Sequence, residues 1–467
     1  MGETRQLAEF AVKFRLDECP LPVTAQAKRC IIETLGCALA GAKTSLAQAA
    51  VRSVKRQGEG GCATVIGLGF RAAPDRAAFV NGISANALDY DGGIMRQGHY
   101  GPTAVPSALA AGEMVSASGR QLLEAVIVAY EIVSRIGRAI RASEPQSRLV
   151  SGYGPHQGFA SVAAVGRLLS LTVDQMVHAF GIYGAFAPVP SAKQWNWNNR
   201  PLSWTKDMVA WPSMAGISAA LLAESGFLGP RAIFEGENGF FRMAGSDQYA
   251  PEILVAGLGE QFNILRVYFK PYPCCRWNHA ALDGVGQILQ RRGWGEAEVK
   301  SVEVGVAGEV LSDLNDHAPH NLVDAEFSMP FAVALLLLGM TPGPRWHDPA
   351  LIDSPRVRET MRKVTLRLDA DMERLFTDKR TAGAVVRVQG VDETVEVVRV
   401  DSPRGSEDLP MTDTELVAKF RVLAAESTKE RSAGRIIQLL NDLEHVQDIS
   451  ELGQLLIGDL PGVAAHC

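Results

Sequence analysis

The apolar residues of this chain change their spacing twice, and that change limits what the chain can fold into. From the start to about residue 265 they recur three and four apart, as in Leu122, Leu123, Val126, Val128, Ala129, Ile132 and Ile136, the mark of helices with one buried face. Ser116 to Gly119 separates that helix from the one before, which Pro106 is expected to open, where a missing N–H costs nothing. A helix over Ser213–Ser225 stops at Gly226. After residue 300 the period becomes two. Val302, Val304 and Val306 alternate with polar or small neighbours, as do Val364, Leu366 and Leu368, and Val386 and Val388 pair with Val395, Val397 and Val400 around a Gly390–Glu393 turn. Helical stretches His279–Arg292 and Phe331–Leu338 lie before and between these strands. Thr412, Glu415 and the stripe Leu416, Phe420, Leu423 and Ala424 then restart helix, which runs to Leu456. The fold class expected is mostly α plus α+β: a discontinuous helical domain of residues 1–267 and 401–467, and an α+β domain of residues 268–400.

A chain of 467 residues that is 47% hydrophobic and 21% charged can fill such cores. Its net charge of −6, without a block of like charges, argues against an electrostatic grip on nucleic acid or an anionic membrane. The apolar run Phe331–Leu338 falls far short of the ~20 residues a membrane helix needs, and MGETRQLAEF carries no basic-then-apolar leader, so a cytoplasmic protein is expected. Of seven scattered cysteines, Cys467 the last, most read as reduced thiols. A small molecule is the partner these properties favour.

Gly67, Gly69 and Ala72 follow the short strand Ala63–Ile66, with Asp89 about 20 residues on, in the manner of a dinucleotide fingerprint. Helices precede it, Pro74 interrupts the helix it should open, and no βαβ pattern follows, so a hairpin turn is expected.

Four segments carry chemistry. In Asn86–Pro102, Asp89 and Asp91 end a helix and a glycine-rich loop holds Gly93, Arg96 and His99; this is a site for a carboxylate or a capped inter-helix loop. Ser151–His156, with Tyr153, sets His156 before a helix over Gly158–Leu169, where the dipole favours a neutral proton acceptor, or a plain cap. Trp195–Lys206 gathers tryptophans, Trp204 among them, near Arg200 and Lys206, as a pocket wall or a domain seam. Phe269–His279 stiffens an extended run with two prolines and places Lys270, Arg276 and His279 at the junction of the helical and mixed regions. Cys274, Cys275 and His279 also admit a zinc site, although the C-x₂-C spacing is absent.

Taken in order, ATVIGLG, NGISANALDYD, the His99 loop before PSALAAGE, Pro155-His156, the Lys206 region, LLAESGFLGP, KPYPCCRWNHAALD, AEFSMPFAVAL and TELVAKF resemble the MmgE/PrpD family nearly end to end. The resemblance implies a large helical domain with a smaller α+β lid, a homodimer, and a cleft site for cofactor-independent chemistry on small di- and tricarboxylates, with no metal. It makes Asp89, His99, His156, Lys206 and Lys270 the catalytic set, with Arg96, Tyr153, Arg276, Trp204 and Gly93 as the expected substrate-binding groups. One departure stands out: Gly92 and Gly93 occupy places where the family commonly has a second acid and a threonine. A dehydratase needs an acid for its leaving hydroxyl, whereas a proton transfer beside a carboxylate needs only a base, an acid and cations. The reading that follows is an epimerase or racemase of an amino- or iminodicarboxylate; the alternative is a polycarboxylate lyase of the 2-methylcitrate dehydratase or cis-aconitate decarboxylase type. A metal-dependent hydrolase and a non-catalytic dicarboxylate binder are the readings from other classes.

Overall fold

The computed structural model describes residues 2–58, 60–147, 149–151, 154–192, 199–204, 209–379 and 381–458. Helices dominate its first half. The Gly119–Ala139 helix begins at a capping box between Ser118 and Gln121 and is buried almost throughout, from Leu122 to Ile136. Against it packs the Gly154–Leu168 helix, and against that Ala210–Glu224. Small side chains let these backbones approach: a Cβ on Gly216 would stand 2.4 Å from the Ser161 side chain and 2.8 Å from the Gly158 carbonyl. Within this core Glu131 and Arg135 form a buried ion pair at 2.5 Å. Arg135 donates to the carbonyls of Ala256, Gly257 and Gln261, and Glu131 accepts from the Asn263 N–H, so one pair fixes the loop that leads to residue 268.

Two helix starts differ from expectation. Pro106 lies inside the helix, which runs Gly101–Met114 with Pro102 in its first turn; the N–H that Pro106 lacks would have reached the Pro102 carbonyl. His156 lies inside the first turn of Gly154–Leu168 rather than ahead of it. The glycine fingerprint is a hairpin, with Ala63–Val65 antiparallel to Phe70–Ala72 and Gly67 and Gly69 both at positive φ.

The second hydrophobic cluster holds Leu202 together with residues from Tyr272 to Val400 and surrounds a four-stranded sheet. Its central strand, Val299–Val306, runs antiparallel to Ala384–Gly390 (Val304 opposite Val386) and parallel to Val364–Leu368 (Val304 opposite Leu366); Val395–Val400 pairs outside Ala384–Gly390. His279–Arg292 packs on the Ala384–Gly390 and Val395–Val400 strands. The mostly α plus α+β class is what the chain adopts. After residue 411 the chain rejoins the first cluster: Asp413–Ala424, capped by Thr412 and Glu415, lies along Leu21–Gly41 with Leu416 and Phe420 buried. Among the described residues no single helix is long and apolar enough to cross a membrane.

Candidate active site

The Pro74–Asn86 helix ends just short of two aspartates. Asp89 takes φ of 44°, a left-handed conformation that few side chains adopt and that surrounding contacts must hold. Those contacts come from the segment joining the two clusters. Tyr268 pairs with Gly93 on one side, N–H to carbonyl in both directions, at 2.9 and 3.2 Å, and Phe269 donates to Gly405 on the other. Lys270, next along, is buried and donates to the Asp89 carbonyl at 2.7 Å, with its ammonium 3.0 Å from the Asp89 carboxylate. Tyr90 closes the contact by donating to the Pro271 carbonyl. Burial disfavours the Lys270 charge, but Asp89, Tyr268 and Asp91 outweigh it and hold the ammonium well above its ordinary range.

Asp91 is wholly buried. It accepts from Asn86 at 3.0 Å and lies 2.8 Å from His99 Nδ1, while the His99 side chain keeps 16% of its surface. Burial pushes the Asp91 carboxyl up, yet His99 and Lys270 pull it below the usual carboxylate range. The arrangement is that of a histidine oriented by a buried carboxylate, fit to move a proton at its other nitrogen.

His156 points Nε2 at the Gln97 carbonyl (3.1 Å) and the Tyr100 hydroxyl (3.2 Å). A carbonyl can only accept, so Nε2 carries hydrogen and any proton-accepting role falls to Nδ1. Gln97 and Tyr100 flank His99, so both histidines hang on the 97–100 segment.

Arg276 is buried over the Tyr268 ring. It donates to the Arg404 and Pro403 carbonyls at 2.7 and 3.1 Å and stands 3.0 Å from His279 Nδ1, leaving Nε without a partner among the described residues. Burial lowers its pKa to about 10. His279 receives that donation and donates from Nε2 to the Cys274 carbonyl at 3.2 Å; burial, then the charges of Arg276 and Lys270, hold it far below its ordinary value, as neutral imidazole. Burial pushes the Cys274 thiol well up. Among the described residues no three His, Cys, Asp or Glu side chains gather as a metal site.

The structure therefore brings Asp89, His99 and Lys270 to one junction, with His156 joined to it through the Gln97 carbonyl and the Tyr100 hydroxyl, and Arg276 through the Tyr268 ring. Arg96, at φ of 58°, lays its guanidinium 4.2 Å from the Phe376 ring centre, reaching from the helical part to the second cluster. Trp204 is 48% exposed. Tyr153 and Lys206 lie outside the described residues. Gly93, expected among the substrate-binding groups, pairs both of its backbone groups with Tyr268. The glycines also have a packing reason. A Cβ on Gly92 would stand 2.2 Å from the Tyr268 carbonyl, so Gly92 lets the two segments meet; one on Gly93 would stand 2.6 Å from the Gly98 carbonyl of its own loop and 3.0 Å from the Tyr268 hydroxyl. Asp91 was visible in the sequence as one of two carboxylates, without its role as the partner of His99. Glu33 and Lys419 were not seen at all, although an acid in the middle of the apolar run CIIETLGCAL was a signal.

The MmgE/PrpD N-terminal domain matches residues 5–252 and the MmgE/PrpD C-terminal domain residues 272–445. The chain belongs to the MmgE/PrpD family. Relatives span nearly its full length: cis-aconitate decarboxylase of Aspergillus terreus, 25% identical over 485 residues, covers 97% of this chain and 96% of its own. The cis-aconitate decarboxylase-like protein oryM of Aspergillus oryzae is 25% identical over 486 residues, covering 98% of each, and human cis-aconitate decarboxylase 25% over 452, covering 94% and 91%. These relatives give the epimerase reading no support and favour the lyase alternative.

Proposed function

We propose that the chain is a polycarboxylate lyase that removes carbon dioxide from a small unsaturated tricarboxylate of the cis-aconitate kind. The observation that carries the reading is the pair of buried contacts two residues apart in sequence, Asp89 on Lys270 and Asp91 on His99, which set a fixed ammonium beside an oriented histidine. Decarboxylation of an allylic carboxylate breaks one C–C bond, releases CO2 and leaves the electron pair spread over the allyl carbons, and one proton then completes the product. The chemistry asks for cations to hold the carboxylates and the developing charge, and for one acid. In this reading Lys270 supplies the held cation, His99 the proton, and Asp89 and Asp91 keep each in place. His156 and Lys206 complete the catalytic set, and Arg96, Tyr153, Trp204 and Arg276, through its Nε, are the remaining substrate contacts. No cofactor takes part, and the homodimer that the family likeness implies belongs to the same proposal. The tight seat of Gly92 and Gly93 supports it further, because their small size has a packing cause and does not by itself argue for a proton-transfer enzyme.

The test is proton NMR of purified protein in D₂O with cis-aconitate, 2-methylcitrate, citrate, aspartate and iminodisuccinate. The expected result is loss of the cis-aconitate vinyl signal with CO2 release and one solvent deuteron in the product. Exchange of an α-proton in aspartate or iminodisuccinate, with the carbon skeleton intact, would overturn the proposal.

A further inference from the structure

Behind the aspartates lies a second buried ion pair, which the chemistry above does not use. Lys419, on the Asp413–Ala424 helix, places its ammonium 2.7 Å from Glu33 and donates to the Tyr90 carbonyl, also at 2.7 Å, lying 4.1 Å from the centre of the Tyr90 ring. Both side chains are buried, and Cys37 donates its thiol to the same Glu33 oxygen at 3.8 Å. Burial raises the Glu33 carboxyl above its ordinary range; Lys419 opposes that rise, and so does the Gly92 N–H, which lies close enough to Glu33 to hydrogen-bond it. The pair thus meets the backbone on both sides of Asp91. Around it, Cys37, Ala40, Leu88, Tyr90 and Leu423 form a small apolar cluster, so no solvent relieves the two charges.

An apolar pair of similar volume would pack here equally well, and burying two charges carries a desolvation cost that such a pair avoids. What an apolar pair cannot do is donate to the Tyr90 carbonyl, in the peptide between Asp89, at its left-handed φ of 44°, and Asp91. We propose that Glu33 and Lys419 are positioning residues: the pair clamps the Tyr90 peptide and so holds Asp91 at hydrogen-bonding distance from His99. The Asp413–Ala424 helix is thereby part of the site although it touches no substrate. The kinetic side of this proposal rests on the lyase reading; the spectroscopic side does not.

The test uses the full chain carrying Glu33→Gln and Lys419→Met together, which leaves no buried charge without its partner. The proton between His99 and Asp91 is followed as a downfield NMR signal, identified by its absence in His99→Gln, and folding is checked by circular dichroism and melting. The double variant is expected to fold, to lose or shift that signal upfield, and to lower kcat at least about tenfold with little change in KM, as a misplaced catalytic group does. Lys419→Arg, which keeps the charge and the donors, is expected to retain the signal. A folded double variant with the wild-type signal, or with kcat within roughly twofold of wild type, would overturn the proposal, since a misplaced group costs far more. Should the wild type turn over no carboxylate in the panel, the lyase reading fails and the signal alone decides the clamp.

Discussion

Two neighbouring carboxylates divide the bases between them, Asp89 on Lys270 and Asp91 on His99. The residue types stood out in the sequence, in or beside segments of glycines or prolines, while their pairings did not. Which carboxylate holds which base depends on Tyr268 lying against Gly93, a contact between residues far apart in sequence. The role of His279 was likewise hidden until Arg276 was seen donating to it. That contact makes a prediction with a definite sign. Folded His279 stays neutral well below its ordinary value, while the unfolded chain takes up the proton near pH 6.5. As pH falls from about 6.5 to 5 the unfolded state binds a proton that the folded state refuses, so His279 subtracts up to about 1.4 kcal/mol of stability per pH unit. His279→Gln removes that term. Melting measured across this range should show wild type losing stability faster than the variant; parallel curves would contradict the assignment.

Among the elements, those with strong periodicity and a clear break or cap read well: helices start after the Ser116 to Gly119 break and at Thr412 with Glu415, as expected, and the His279–Arg292 helix has the bounds expected of it. Pro106 misled because proline inside a helix is rare, and only the buried surroundings of the Gly101–Met114 helix show that the turn before it is already helical. The glycine pair misled in another way, since a missing side chain reads as missing chemistry until its neighbour is known. With the Tyr268 carbonyl 2.2 Å from where a Cβ would sit, Gly92→Ala must push two segments apart. The expected cost is about 1–3 kcal/mol, as for other overpacked sites, seen as a lower melting temperature together with reduced turnover. An unchanged melting temperature would show that the segments are not tightly seated.

For the whole molecule, the change of period predicted the class well, because a helical stripe and an alternating strand bury different faces and cannot exchange. The site itself was legible only through the order of its segments. No single segment holds it: Asp89 and His99 come from the helical part, Lys270 from the crossing segment, and Lys419, the proposed positioning residue, from the returning Asp413–Ala424 helix. The central claim is that this junction removes carbon dioxide from a tricarboxylate. It is tested most directly by measuring CO2 released from cis-aconitate by wild type, Lys270→Met and His99→Gln, with folding of each confirmed. Release by wild type, with a fall of about 10²-fold or more in both folded variants, is the predicted result. No release by wild type, or near-wild-type release by both variants, would contradict it.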